Sequence, residues 1–188
     1  MIRYFLFSIL FLLFFACTTK EEEINELFSA DLNENLRIGK NIRIIYSDSA
    51  VIRLVVNAPE MLQYESQNES KDEFPKGVLL EFMGADNTVN SWLKAETAIR
   101  ESRTQKITAR GNVVFYDSKN QKLETPELIY DMNTRIVYTD KLVRISQAEK
   151  GDTTYGFGFK ANESFTIFEI KKKVQGKLNV ADFVTEFK

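Results

Sequence analysis

From residue 36 onward the apolar residues recur at every second position, and this period constrains the fold more than any other feature. Alternation at two marks strands with one face in a core and the other in water. Ile42, Ile44 and Tyr46 alternate with Asn41, Arg43 and Ile45. After a Ser47-Asp48-Ser49 turn, Ile52, Leu54, Val56 and Ala58 share one face, and Val78, Leu80 and Phe82 follow the same habit. The cleanest stretch is Lys106 to Tyr116, apolar or small at its odd positions. Ile136 with Tyr138, Phe157 with Phe159, and Phe165 with Ile167 continue it. Asp117–Gln121 and Asp131–Thr134 have the composition of hairpin turns. No apolar stripe of about 12 residues at helical spacing follows the amino terminus. The expected fold is all-β.

A weak repeat runs through this region. Copies open at Ala58-Pro59-Glu60, Ala95-Glu96-Thr97, Thr125-Pro126-Glu127 and Ala161-Asn162-Glu163. Each is followed by a further strand, such as Gly111-Asn112-Val113-Val114-Phe115. A copy of about two strands cannot bury its apolar face alone, so neighbours must stack. The architecture expected is an antiparallel β-jelly roll or twisted β-sandwich of repeated hairpins over residues 36–188.

The first 35 residues differ in kind. Arg3 precedes an apolar run from Tyr4 to Phe15 broken only by Ser8. That run is well short of the about 20 residues needed to span a bilayer, so residues 1–16 read as a secretory signal peptide. Leu13-Phe14-Phe15-Ala16-Cys17 resembles a bacterial lipobox, with cleavage before a cysteine that is then acylated. Two or three acyl chains on Cys17 anchor a protein stably at a membrane, whereas one binds only marginally. Residues 17–35 carry Glu21, Glu22, Glu23, Glu26, Asp31 and Glu34 against Lys20 and read as an extended, solvated acidic tether. Fully stretched, roughly 18 residues reach about 60 Å.

Composition removes much chemistry. The 188 residues contain no histidine and a single cysteine, which excludes imidazole-dependent triads, His-ligated zinc, an intrachain disulfide and a cysteine metal cluster. With 25 basic and 27 acidic residues the net charge is −2, the wrong balance for a general nucleic-acid binder. Glu96, Glu127 and Asp131 are the carboxylates an enzyme would use, but nothing in the sequence brings two of them to catalytic distance. The expectation is no enzyme and no cofactor.

The exported amino terminus, the Ala/Thr-x-Glu openings and the Gly111-Asn112-Val113-Val114 strand together resemble the LptC family of periplasmic lipopolysaccharide export proteins. The resemblance runs from about Ile44 to Val180. It is carried by Tyr46-Ser47-Asp48-Ser49, Pro75-Lys76-Gly77-Val78, Ala109-Arg110-Gly111-Asn112-Val113-Val114, Leu123-Glu124-Thr125-Pro126-Glu127-Leu128 and Gly156-Phe157-Gly158-Phe159-Lys160-Ala161. LptA and the amino-terminal part of LptD share the same unit. The resemblance implies a periplasmic protein held at the inner membrane. It would accept lipopolysaccharide from the ABC transporter (LptF/LptG-like subunits) and pass it to an LptA-like bridge by edge-strand pairing. Family members keep a transmembrane helix where this chain has a lipobox, so here the lipid anchor would supply attachment.

On this reading an incompletely closed sandwich leaves an apolar groove for acyl chains. Its expected lining is Ile52, Leu54, Val56, Leu80, Phe82, Ile107, Val113, Phe115, Leu128, Tyr130, Ile136, Tyr138, Phe157 and Phe159. Gly156 and Gly158 are expected to permit close approach of a partner strand near the late edge. Lys94, Arg100, Arg103, Arg110 and the Lys171-Lys172-Lys173 run suit outward faces. The alternative is a structural or adhesive lipoprotein in which the same apolar residues are a closed core.

Overall fold

The computed structural model describes residues 36–65, 70–147 and 151–177. The expected signal peptide (1–16), Cys17 and the expected acidic tether (17–35) lie outside these residues. Eleven strands occur among those described: β1 (Leu36–Asp48), β2 (Val51–Glu65), β3 (Ser70–Phe74), β4 (Val78–Met83), β5 (Val89–Ala95), β6 (Thr97–Glu101), β7 (Lys106–Asp117), β8 (Gln121–Asp131), β9 (Ile136–Gln147), β10 (Asp152–Asn162) and β11 (Phe168–Lys177). Every pairing is antiparallel. The all-β sandwich expected from the alternation is what forms, and it is made by one sheet folded over on itself.

The fold line follows from the pairing. One edge of β2 is taken by β1; the other is shared, with Leu54–Asn57 pairing β4 and Leu62–Glu65 pairing β3. Likewise β7 pairs β8 on one edge and both β6 and β5 on the other. β3 with β4, and β5 with β6, are therefore single rungs interrupted in the middle, and the chain is a meander in sequence order. Each rung changes layer at the same level. β2 turns at Pro59, β5 gives way to β6 at Glu96, β7 turns at Gly111 and Asn112, and β8 at Pro126. In β7, β8, β9 and β10 a register shift marks the place. Gly111 (φ 78), Asn112 (φ 42) and Gly158 (φ 74) adopt left-handed backbone there, which bends a strand sharply and suits glycine and asparagine. Proline fits because a broken ladder has no use for its missing N–H.

This gives the repeat its physical meaning. Ala58-Pro59-Glu60, Ala95-Glu96-Thr97 and Thr125-Pro126-Glu127 are points on one crease, whereas the fourth expected opening, Ala161-Asn162-Glu163, lies at the end of β10, beyond the bend at Gly158. The expected turns also form. Asp117 Oδ1 accepts from the amides of Lys119 and Gln121, both at 2.9 Å. Asp131 Oδ1 accepts from Asn133 at 3.0 Å and Thr134 at 3.1 Å.

The core fills the space between the layers. In the first layer Val56, Leu80, Leu93, Phe115, Leu123 and Ile145 form one inward row across successive strands. In the second, Phe74, Ala98, Ala109 and Leu128 do the same, and buried Thr139 of β9 with Phe159 of β10 extends the inward face. Burying each of the larger side chains gains about 1.5–3 kcal/mol over leaving it exposed, which is what holds two such layers together without a disulfide.

The seam between the layers as candidate functional site

Opposite the crease the two layers meet along a seam, and three local closures seal it. At the β1 end Tyr46 of the first layer lies over the Arg100 guanidinium of the second, 5.1 Å from ring centroid to Cζ. Arg100 Nη1 in turn donates to Asp72 Oδ2 at 2.9 Å, and Gln63 Nε2 donates to Asp72 Oδ1 at 3.2 Å. Asp72 is buried, so its charge needs these partners. Burial lifts the Tyr46 hydroxyl above its ordinary value, against the pull of Arg100. In the middle Phe82 packs edge to face on Tyr130 at 4.8 Å.

The third closure is the turn between β10 and β11. Asn162 shapes it, its Oδ1 accepting from the amides of Thr166 and Ile167, both at 3.0 Å. The turn points inward. Phe165 is 1% exposed; its ring stacks on Phe115 at 4.7 Å and meets Phe159 edge to face at 5.8 Å. The first layer holds it through three bonds: the buried Ser91 hydroxyl donates to the Glu163 carbonyl, Gln121 Nε2 to the Phe165 carbonyl at 2.9 Å, and Asn90 Nδ2 to Ser164 Oγ at 3.4 Å. The second layer holds the Glu163 carboxylate. Tyr130 donates its hydroxyl to Oε2 at 2.8 Å, and Arg135 donates Nε at 2.8 Å, with Nη2 also, to Oε1. Burial first, then the carboxylate, pushes the Tyr130 hydroxyl well above its ordinary value, keeping it a neutral donor. The same carboxylate holds Arg135 more firmly charged.

The expected groove residues divide at this seam. Leu54, Val56, Leu80, Phe82, Ile107, Val113, Phe115, Leu128, Tyr130 and Phe159 all face inward and are at most 2% exposed. Ile52 is half-buried near the seam end of β2. Three face outward instead. Ile136 and Tyr138 lie on the outer face of β9, because Val137 pairs with Tyr130 and, with Thr139, takes the inward positions. Phe157 is 44% exposed, because the crease at Gly158 reverses the phase of β10 and only Phe159 beyond it points in.

Gly156 and Gly158 are not on a free edge. β10 is flanked by β9 and β11, and a Cβ on Gly156 would lie 2.3 Å from Ile170 Cγ2 of β11. Their close approach is thus spent within the sheet, and the late edge is β11. Arg100, expected on an outward face, is instead part of the seam. Phe165, expected in a strand with Ile167, lies in the turn.

The carboxylates considered for catalysis are each occupied. Glu127 pairs with Arg110 at 2.8 Å, Glu96 accepts from Asn112, and Asp131 caps its turn. An open depression of about 680 Å³ lies on the outer side of the crease, where Arg43, Pro59, Leu79, Lys94 and Tyr116 are among its lining residues. It shares no residue with the expected groove.

Sequence reasoning missed the Glu163–Phe165 turn as a seam element. Its partners lie up to 74 positions away, beyond the reach of any local period. The Asn162-Glu163-Ser164 composition was the available signal for a turn.

A creased antiparallel sandwich with an apolar interior, a seam sealed by polar latches and two free strand edges among the described residues defines a jelly-roll protein whose distinctive features are its interior and its edges. The family model described as "Lipopolysaccharide-assembly, LptC-related" matches residues 9–179, and the chain belongs to that family. Membership assigns it to lipopolysaccharide transport, in a family of carriers rather than enzymes that works in the periplasm in association with the inner membrane. A comparison with curated proteins gives no match.

Proposed function

We propose that this protein is the membrane-anchored periplasmic component that takes lipopolysaccharide from the inner-membrane ABC transporter and hands it to an LptA-like bridge, the acyl chains passing between its two layers. The observation that carries this reading is the interior itself: a continuous core of packed apolar side chains reaching from crease to seam, closed there by a few polar and aromatic contacts. Burying a methylene gains about 0.8 kcal/mol, so a chain of a dozen carbons gains on the order of 10 kcal/mol gross. Against that gain stand the seam bonds, each worth about 1 kcal/mol net, and the aromatic packing of Phe82 on Tyr130 and Phe165 on Phe115, which must part to admit the chain. The sugar headgroup stays in water at the seam. The outer edges of β1 and β11 offer unpaired backbone for strand addition, and acylated Cys17 with the 17–35 tether supplies the anchor.

A second reading has a specific observation in its favour. The inward residues are packed on one another, which is also the state of a structural sandwich with a closed core. Native mass spectrometry of residues 18–188 titrated with lipopolysaccharide, with a photo-crosslinking residue at Phe115, separates the two. A saturable adduct crosslinked at 115 supports the carrier. No adduct, with position 115 inert, assigns a closed core.

A further inference from the structure

The β10–β11 turn is built unlike the other hairpin connections described. A solvent-facing turn needs no buried charge and no aromatic anchor, yet this one carries Glu163 at 5% exposure and Phe165 at 1%. Both side chains are met by groups waiting for them. Two donors, the Tyr130 hydroxyl and the Arg135 guanidinium, converge on both oxygens of one carboxylate. Phe115 and Phe159 form an aromatic slot immediately inside. An anion at the rim with an apolar group just beneath it is the chemical description of an acidic amphiphile.

We infer that residues 163–167 are a built-in surrogate ligand: Glu163 occupies an anion site formed by Arg135 and Tyr130, Phe165 occupies the first acyl position, and the true occupant is an amphiphile bearing a phosphate beside an acyl chain. The inference rests on the carrier reading and adds to it a headgroup site and a displaceable stopper. The Arg135 side chain is 47% exposed, so an incoming phosphate reaches it from solvent and competes with Glu163 for the same N–H groups, favoured by its greater charge. Once those contacts are competed away, the turn can swing out with little else to disturb, because β11, the strand that follows it, is largely exposed and lies at the edge of the sheet.

The test uses the full chain in detergent with a photo-crosslinking residue at position 115. The probes are lipid A, dephosphorylated lipid A and phosphatidylglycerol. Asn90→Cys with Ser164→Cys, whose side chains are in contact, locks the turn by oxidation or by a short thiol-bridging reagent, read as loss of both thiols. The locked form is expected to lose lipid A crosslinking by about tenfold or more, since only the open fraction binds, and reductant restores it. Phe165→Ser should raise crosslinking. Arg135→Ala in that background should abolish the preference for phosphorylated over dephosphorylated lipid A. Lipid A alone crosslinking identifies the phosphate as that of a glycolipid, whereas equal crosslinking of phosphatidylglycerol identifies a general phosphate site; both support the assignment. Unchanged crosslinking in the locked form overturns the stopper while leaving the carrier reading intact. A phosphate preference that survives Arg135→Ala overturns the anion site. No crosslink in any variant, the Phe165→Ser protein included, overturns the carrier reading and this inference with it.

Discussion

Phe82 of β4 and Tyr130 of β8 meet across the seam with their ring planes at 77° and their centroids 4.8 Å apart. Nothing in chain order brings them together; the crease does. Phe82 also contacts Phe115 edge to face at 5.9 Å, so its removal leaves a void bordered by both layers. Phe82→Ala is expected to destabilise the protein by about 3–5 kcal/mol and Phe82→Leu by less. Urea unfolding followed by tryptophan fluorescence reads the difference, with Trp92 stacked on Tyr116 as the reporter.

The Tyr130 hydroxyl gives the seam a pH limit on the alkaline side. Its value is raised in the folded state, so the neutral phenol is the form that folding favours. The stability it contributes is fully present below the unfolded value of 10.0 and is lost as pH rises toward the folded one. Tyr130→Phe should cost about 1–3 kcal/mol near neutrality, because Glu163 Oε2 loses its donor. The same variant should show a shallower fall in urea midpoint above pH 10 than the parent. A parallel fall in the two proteins would remove Tyr130 as the source.

Asp72 and Arg100 form the most buried ion pair described, with side chains 5% and 15% exposed. Breaking it from one side strands a charge in the seam, and Asp72→Ala is expected to cost about 3–5 kcal/mol. The double variant Asp72→Leu/Arg100→Met should be more stable than Asp72→Ala alone, because no charge is left behind. A thermodynamic cycle over Asp72→Ala, Arg100→Ala and the pair measures the coupling. Additive losses would show that the pair is not energetically linked.

At the crease, Gly158→Ala places a Cβ in left-handed backbone and 2.9 Å from Lys171 Cδ. Lys171 Cδ and Cγ can swing aside, while Lys171 Cβ at 3.1 Å gives only with β11 by a few tenths of an ångström, so the backbone sets most of the penalty, about 1–2 kcal/mol. Lys171→Ala in the same background should not relieve it. If it does, the clash rather than the conformation is responsible.

Where a strand keeps one phase across the crease, alternation in the sequence was enough. Ile107 and Ala109 before the bend in β7, and Val113 and Phe115 after it, all sit at odd positions and all point inward. Where the bend reverses the phase, alternation misleads. Phe157 and Phe159 are two apart, yet Gly158 lies between them and only one is buried. In β9 the choice between Ile136 with Tyr138 and Val137 with Thr139 is set by pairing with β8, and Thr139 keeps its place inside by satisfying its hydroxyl locally, accepting from the Lys141 amide at 3.1 Å. The repeat was visible, but a proline beside a glutamate does not declare that it stands on a fold line. The latches were not legible at all: Asp72–Arg100 depends on the register in which β3 pairs β6, and Tyr46–Arg100 and Ser91–Glu163 are joined by contact between the layers and not by spacing.

The meander also orders the events of folding. Each rung pairs with its predecessor, so the ladder grows by hairpin closures, which are fast and need little chain to be gathered. The latch at Glu163 is different: it reaches back 72 positions to Ser91 and needs both layers in place before it gains anything. Pulse-labelled amide exchange should accordingly show the β4–β5 and β7–β8 ladders protected before the Asn162–Ile167 turn. A chain growing from its amino terminus therefore keeps a gap in its side beside Phe115 until the β10–β11 hairpin arrives, and the last sealing of its interior waits on the last of the described strands.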